Sequence, residues 1–362
     1  MSSHGLCALA LAALATTAVV HAAPVGPALE RPALQSRLAT RSVLQGAARA
    51  GDGATARLVA VGERGIVLSS EDGGKSWRQV SVPVSVGLTA VAFADAQRGW
   101  IAGHGGVVLA TVDGGQTWVK QLDGIQAAQI VLKSLQDRPG EVDPRELADA
   151  ERLVADGADK PFLDLHVFDA NRVVVVGAYN LAFETNDGGQ TWQPLSGRLD
   201  NPRGLHLYTI AARGEEVVIA GEQGLVLRST DRGQNYVRVT GLPYQGSFFS
   251  VALPGDREIV VAGLRGNAWK STDGGTHWTN IPSPVPASFT ASAVDAQGQL
   301  WLANQAGMVL RRSTSPKGDV LVPMATKLPP LNGLLLLGGA HALGLSVQGT
   351  VPVSLNATGA PK

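Results

Sequence analysis

The sequence predicts an all-β fold, specifically a seven-bladed β-propeller, on three observations. A motif of the form strand, small-residue turn, strand, S/T-x-D-G-G-x-x-W, strand occurs five times, at 58–77, 100–118, 173–192, 217–236 and 259–278. Its aspartates, Asp72, Asp113, Asp187, Asp231 and Asp273, lie 41, 74, 44 and 42 residues apart, and three of these intervals match one four-stranded blade. The composition, with 44 glycines and 5% aromatic residues in 362, suits many short strands joined by tight turns.

Residues 1–22 read as a removable export signal. An apolar, Ala-rich run from Leu6 to Val20 ends in Val20-His21-Ala22, small residues suited to cleavage. The expected location is therefore the periplasm, with a single propeller domain over 23–360. The only cysteine, Cys7, falls within the signal, so the mature chain is expected to have no disulfide and no thiol chemistry. Thirty basic and thirty acidic side chains cancel, which disfavours nucleic acid and anionic lipid as partners. No cofactor or metal is expected, and a monomer is.

Each unit opens with a further apolar strand, at 88–95, 162–170, 205–212, 248–255 and 289–296, and Arg41–Ala50 supply this strand for blade one. A blade is thus four strands, A to D. A sixth unit, 299–314, has Ser315-Pro316-Lys317-Gly318 in place of the Asp turn. A seventh has strands A to C only, and Ala33–Ala39 are expected to supply its strand D, closing the ring and removing both sheet edges. The apolar run Leu331–Leu345 is too short for a membrane span and reads as two buried strands around Gly338-Gly339. The long interval contains an insertion, 122–160, between blades two and three. Its hydrophobic period is near 3.6, Asp143-Pro144 suits a helix start and Gly157 a helix end, so a helical hairpin is expected over or beside the propeller mouth.

The recurrent Asp turn has a structural explanation. The carboxylate can accept nearby backbone N–H groups, the glycines supply positive φ for a tight C–D hairpin, and the aromatic packs on neighbouring strands. The structural sets are Asp72, Gly74 and Trp77; Asp113, Gly115 and Trp118; Asp187, Gly189 and Trp192; Asp231 and Gly233 with Tyr236; and Asp273, Gly275 and Trp278. No alternating oxygen ligands with a late Glu are present, so a calcium loop is not expected. No catalytic residue is assigned.

Connectivity places the A–B and C–D turns on one face, and the B–C turns and D-to-A links on the other. The second face is the expected partner surface. Its candidates are Glu63, Arg64, His104, Tyr179, Asn180, Arg203, Glu222, Gln223, Tyr244 and Arg265.

The repeats resemble those of the photosystem II stability/assembly factor family, A-G-x-x-G-x-(V/I)-L-x-(S/T)-x-D-G-G-x-(S/T)-W. The match is clearest over Gly103–Trp118 and Gly221–Gly233, and the resemblance extends over about 40–350. It implies an exported seven-bladed propeller that binds a membrane protein or its assembly intermediate without catalysing a reaction. The competing class is an Asp-box glycoside hydrolase, sialidase-like or otherwise. Arg64, Arg203 and Arg265, Tyr179, Tyr208 and Tyr244, and the carboxylates Glu63, Glu222 and Asp200 are its candidates. The Phe/Tyr-Arg-Ile-Pro element that usually carries the first sialidase arginine is missing, and spacing alone establishes no carboxylate pair.

Overall fold

A computed structural model describes residues 27–53, 55–316 and 318–356. The expected signal, 1–22, lies outside them. Seven antiparallel sheets, each with its strands in sequence order, form the propeller. Blade one holds β1 (Leu44–Ala50), β2 (Arg57–Gly62), β3 (Val67–Ser70) and β4 (Arg78–Val80). Blade two holds β5 (Leu88–Phe93), β6 (Gly99–Gly103), β7 (Val107–Thr111) and β8 (Val119–Leu122). Blade three holds β9 (Phe162–Val167), β10 (Val173–Gly177), β11 (Ala182–Thr185) and β12 (Gln193–Pro194). Blade four holds β13 (Leu207–Arg213), β14 (Glu216–Gly221), β15 (Val226–Ser229) and β16 (Val237–Arg238). Blade five holds β17 (Phe248–Ala252), β18 (Ile259–Gly263), β19 (Ala268–Ser271) and β20 (Thr279–Asn280). Blade six holds β21 (Phe289–Val294), β22 (Leu300–Asn304), β23 (Val309–Ser315) and β24 (Gly318–Ala325). Blade seven holds β25 (Leu331–Gly338), β26 (His341–Ser346) and β27 (Gly349–Ser354).

The core lies between blades. Seven apolar clusters fill the seven interfaces, including the one where blade seven meets blade one. The first residue of every innermost strand, Leu44, Leu88, Phe162, Leu207, Phe248, Phe289 or Leu331, is wholly buried. Each such side chain stabilises the ring by about 2 kcal/mol on burial. The central strands B are buried on both faces, so they read as runs such as VVVV at 173–176 rather than as alternation.

The last blade departs from expectation. Among the described residues it has three strands, and Ala33–Ala39 add no fourth. This segment instead runs along the outer edge of blade one, where Ala33 N–H donates to the Val82 carbonyl and Gln79 bonds to Leu34 and Ser36. Ala39–Arg41 then form a 3₁₀ turn packed against β27 and β4, so strand A of blade one starts at Leu44 rather than Arg41. The ring closes by packing of β1 on β25 and by the Asn332 Nδ2 bond to the Leu44 carbonyl. Pro352 explains the open edge. It sits exposed within β27 and has no N–H to offer a further strand, a usual guard on an unpaired edge.

The insertion contains α1 (Gly124–Gln136) and α2 (Pro144–Asp156). Asp123 caps α1 by accepting the N–H groups of Ile125 and Gln126, while Gln126 accepts the Asp123 N–H in return. Asp143 caps α2 with Pro144 in its first turn, and Gly157 ends it at φ 72°. Helix α1 packs on β12 and on the blade-two turn His104–Gly106, burying Ala127 and Ala128. The hairpin therefore lies beside the rim between blades two and three. No helix among the described residues is long and apolar enough to cross a membrane.

Candidate functional site

Backbone bonds fix the two faces. In blades one to six the first residue of the B–C turn donates to the segment leading into strand A: Glu63 to Val43, His104 to Gly87, Ala178 to Pro161, Glu222 to His206, Leu264 to Ser247 and Gln305 to Ser288. On the other face the Asp turns donate to A–B turns: Gly114 to Gln97, Gly188 to Asn171, Arg232 to Glu215 and Gly274 to Arg257.

The Asp turns are saturated. Asp113 Oδ1 accepts from Thr111 Oγ1 at 2.8 Å and from the N–H groups of Gln116 and Thr117 at 2.9 Å each, and its Oδ2 accepts from Thr117 Oγ1 at 2.6 Å. Asp72, Asp187, Asp231 and Asp273 repeat this pattern with Ser76, Thr191, Asn235 and His277. The Thr191 hydroxyl and N–H hold the Asp187 carboxyl down at about 2, and the corresponding bonds push those of Asp72, Asp231 and Asp273 lower. Trp77, Trp118 and Trp278 donate to the carbonyls of Gly74, Gly115 and Gly275. Trp192 and Tyr236 are buried in the same position, and Gly189 and Gly233 take positive φ like the rest. Carboxylates occupied by their own loop have little capacity left for a substrate. They hold the hairpins.

The opposite face shows the reverse. At the second residue of the B–C turns of blades one, three, four and five the backbone is left-handed, with φ 55° at Arg64, 54° at Tyr179, 52° at Gln223 and 56° at Arg265. Blade two has Gly105 there, the residue that adopts this conformation without strain. A long side chain in its place costs about 1 kcal/mol. All four side chains project into solvent, Arg64 with 86% of its side chain exposed and Tyr179 with 64% of the residue exposed. Glycine follows in blades one, four and five, for a different reason in two of them: a Cβ on Gly65 or Gly224 would lie 2.3 Å from the carbonyl oxygen of Val84 or Tyr244.

The structure gathers five of the sequence candidates at blades three and four. Tyr179 packs on His206 at 4.5 Å between ring centroids, Asn180 accepts from Asn201 Nδ2 at 2.9 Å, and Arg203 donates to Gln223 Oε1 at 2.5 Å. Glu222 Oε2 accepts the His206 N–H at 3.3 Å and lies 3.7 Å from His206 Nε2. Tyr244 stacks near Trp269 in blade five and donates to the Leu264 carbonyl, next to the Arg265 tip. Glu63, Arg64 and His104 stand apart on blades one and two. Glu63 accepts the Val43 N–H at 3.1 Å, and Glu222 and Glu63 sit three blades apart, each tied to its own link.

Sequence reading names Tyr208 only as a hydrolase candidate and does not single out His206 or Phe249, the rings that join these residues. His206 stacks on Tyr208 at 5.9 Å, and Tyr208 packs on Phe249 at 5.2 Å, so a line of aromatic rings runs from Tyr179 to the channel mouth. Lys160, at the end of the insertion, sits 5.2 Å over the Tyr179 ring. The signal was present in the repeats. The second residue of each innermost strand is Gln45, Thr89, Leu163, Tyr208, Phe249, Thr290 or Asn332. Thr89, Thr290 and Asn332 each donate to the next blade's carbonyl, from Phe162, Leu331 and Leu44 respectively. In blades three to five the position is Leu163, Tyr208 and Phe249, so that sector of the mouth is lined by apolar and aromatic side chains instead. Below it, Asp164 accepts the N–H groups of Leu165 and Ile210 at 2.8 and 2.9 Å, and burial pushes its carboxyl up to about 6.

Comparison with known proteins agrees with this architecture. The model of the family described as "Photosynthesis system II assembly factor YCF48" matches residues 69–139 and 148–281. The chain is 35% identical over 94 residues to the photosystem II assembly lipoprotein Ycf48 of Synechococcus sp. (strain CC9902), a stretch covering 26% of this chain and 26% of that protein. The structure of YCF48 bound to D1 peptide superposes with a TM-score of 0.63 at 17% identity, over 90% of this chain and 99% of that one. YCF48 from Cyanidioschyzon merolae gives 0.62 at 16% identity, over 87% and 96%. A GH74 xyloglucanase from Xanthomonas campestris gives 0.61 at 15% identity, over 89% of this chain but 53% of the enzyme. The chain belongs to the photosynthesis system II assembly factor YCF48 family.

Proposed function

We propose that this protein is an exported, non-enzymatic scaffold whose B–C-turn face binds a membrane protein or its assembly intermediate, and that it thereby assists assembly or stability of the membrane complex. The observation that carries this reading is the set of four long side chains held left-handed at the turn tips, Arg64, Tyr179, Gln223 and Arg265. A strained backbone that points side chains into water favours a role in recognition over one in packing. Two relatives support the partner class and export: the YCF48 structure with a D1 peptide, and the curated relative described as a lipoprotein. The tied positions of Glu63 and Glu222 favour a scaffold over a paired-carboxylate enzyme.

Affinity capture from solubilised membranes tests the reading. The tagged chain should retain one integral membrane protein, and Arg64→Ala with Arg265→Ala should reduce its recovery about tenfold. Lys75→Ala with Arg78→Ala, on the opposite face, should leave recovery unchanged. The likeness to a GH74 enzyme supports a second reading, glycoside hydrolysis. Release of reducing sugar from xyloglucan or a sialoside, abolished by Glu222→Ala, would establish it instead.

A further inference from the structure

The rings at the channel mouth converge on negative charge. Tyr179, His206, Tyr208 and Phe249 form the wall, with successive centroids 4.5, 5.9 and 5.2 Å apart. Glu222 stands beside His206, close enough to Tyr208 to raise its hydroxyl pKa together with the larger effect of burial. Asp164 lies two residues further along its strand than Phe162, about 7 Å deeper at the usual strand rise. Among the described residues neither carboxylate has a Lys or Arg within ion-pair distance, whereas Glu184 lies between Arg172 and Arg198, and Asp319 meets Lys270. Backbone N–H groups donate to both, but they carry no net charge, and among the described residues the one ionisable nitrogen within ion-pair distance of either carboxylate is His206 Nε2, 3.7 Å from Glu222.

Ring faces attract cations through their quadrupole, and two carboxylates in a partly desolvated mouth add a Coulomb attraction stronger than the same charges exert in water. The Lys160 ammonium, which also pairs with Asp156 and Asp159, lies 5.2 Å over the Tyr179 ring, so one ring of this wall already contacts a cation. We infer that the channel mouth at blades three to five is a receptor for one basic side chain, Arg or Lys, from an extended segment of the partner. The side chain lies against the channel-facing side of the packed Tyr208 and Phe249 rings, with Glu222 at the rim and Asp164 below. The inference rests on the scaffold reading for its partner but not for its chemistry.

The probes are three labelled peptides, acetyl-Gly-Gly-X-Gly-Gly-amide with X as Arg, norleucine or Glu, titrated into the full chain by fluorescence anisotropy. The Arg peptide should bind at least about tenfold more tightly than the other two. Glu222→Gln and Phe249→Ala should each weaken it about tenfold, and Glu71→Gln on the opposite face should leave it unchanged. Thermal melts establish that each variant is folded, and Asp164→Asn supplies a second carboxylate variant if Phe249→Ala is not. Equal binding of the Arg and norleucine peptides, or indifference to both Glu222→Gln and Asp164→Asn, overturns the receptor. The two proposals fail separately. Undiminished membrane-protein capture by Glu222→Gln without Arg-peptide binding removes only the receptor. Arg-peptide binding as described, with no membrane protein captured, removes only the scaffold reading.

Discussion

A carboxylate's role in this protein depends on the groups that donate to it. The Asp-turn carboxylates are held down by hydroxyl and backbone donors, so their charged form is favoured in the fold. Their contribution is present above the unfolded value near 4 and is lost as pH falls through the folded value, about 2 for Asp187. Replacing Asp187 by Asn should therefore lower the melting temperature at pH 7 and lower it progressively less toward pH 2. Asp164 has the opposite sign. Burial raises its carboxyl to about 6, so its contribution is greatest below pH 4 and declines as pH rises to 6. Relative to Asp164→Asn, the parent should lose about 2 kcal/mol of stability between pH 4 and pH 6.5, read by denaturant unfolding at each pH. Arg232 offers a separate test. It holds φ 57° where the other Asp turns have Gly73, Gly114, Gly188 and Gly274, so Arg232→Gly should stabilise the chain by about 1 kcal/mol.

At the scale of elements, the hairpin of α1 and α2 and the edge of β27 make separate predictions. Deleting 124–158 and joining the ends should leave a cooperatively unfolding propeller, because the hairpin pairs with no sheet. Its melting temperature should fall, because Ala127 leaves the cluster between blades two and three. Pro352→Thr should restore a donor to the open edge of β27 and promote self-association, detectable by sedimentation velocity. The hairpin was legible in the sequence because Asp143-Pro144 and Gly157 punctuate a change of hydrophobic period. The missing fourth strand of blade seven was not. Ala33–Ala39 have no alternation to mark them as strand or link, and what decides their position is the Gln79 side chain of another blade, a contact that no local pattern encodes. The line of rings was hidden for a related reason. His206 and Tyr208 are two residues apart, but Phe249 comes from the next blade, and only the packing of β17 on β13 sets its ring against theirs.

For the whole molecule, the repeat divides the labour between two faces. The face with the Asp turns is self-satisfied, and the other carries strained tips, rings and the Glu222 and Asp164 carboxylates. The central claim is that the partner docks on the second face. Site-specific photo-crosslinking tests it directly, with p-benzoylphenylalanine placed at Tyr179 on one face or at Val112 on the other, both well exposed. The account predicts one membrane-protein adduct from position 179 and none from 112. Adducts from 112 alone, or equally from both, would contradict it.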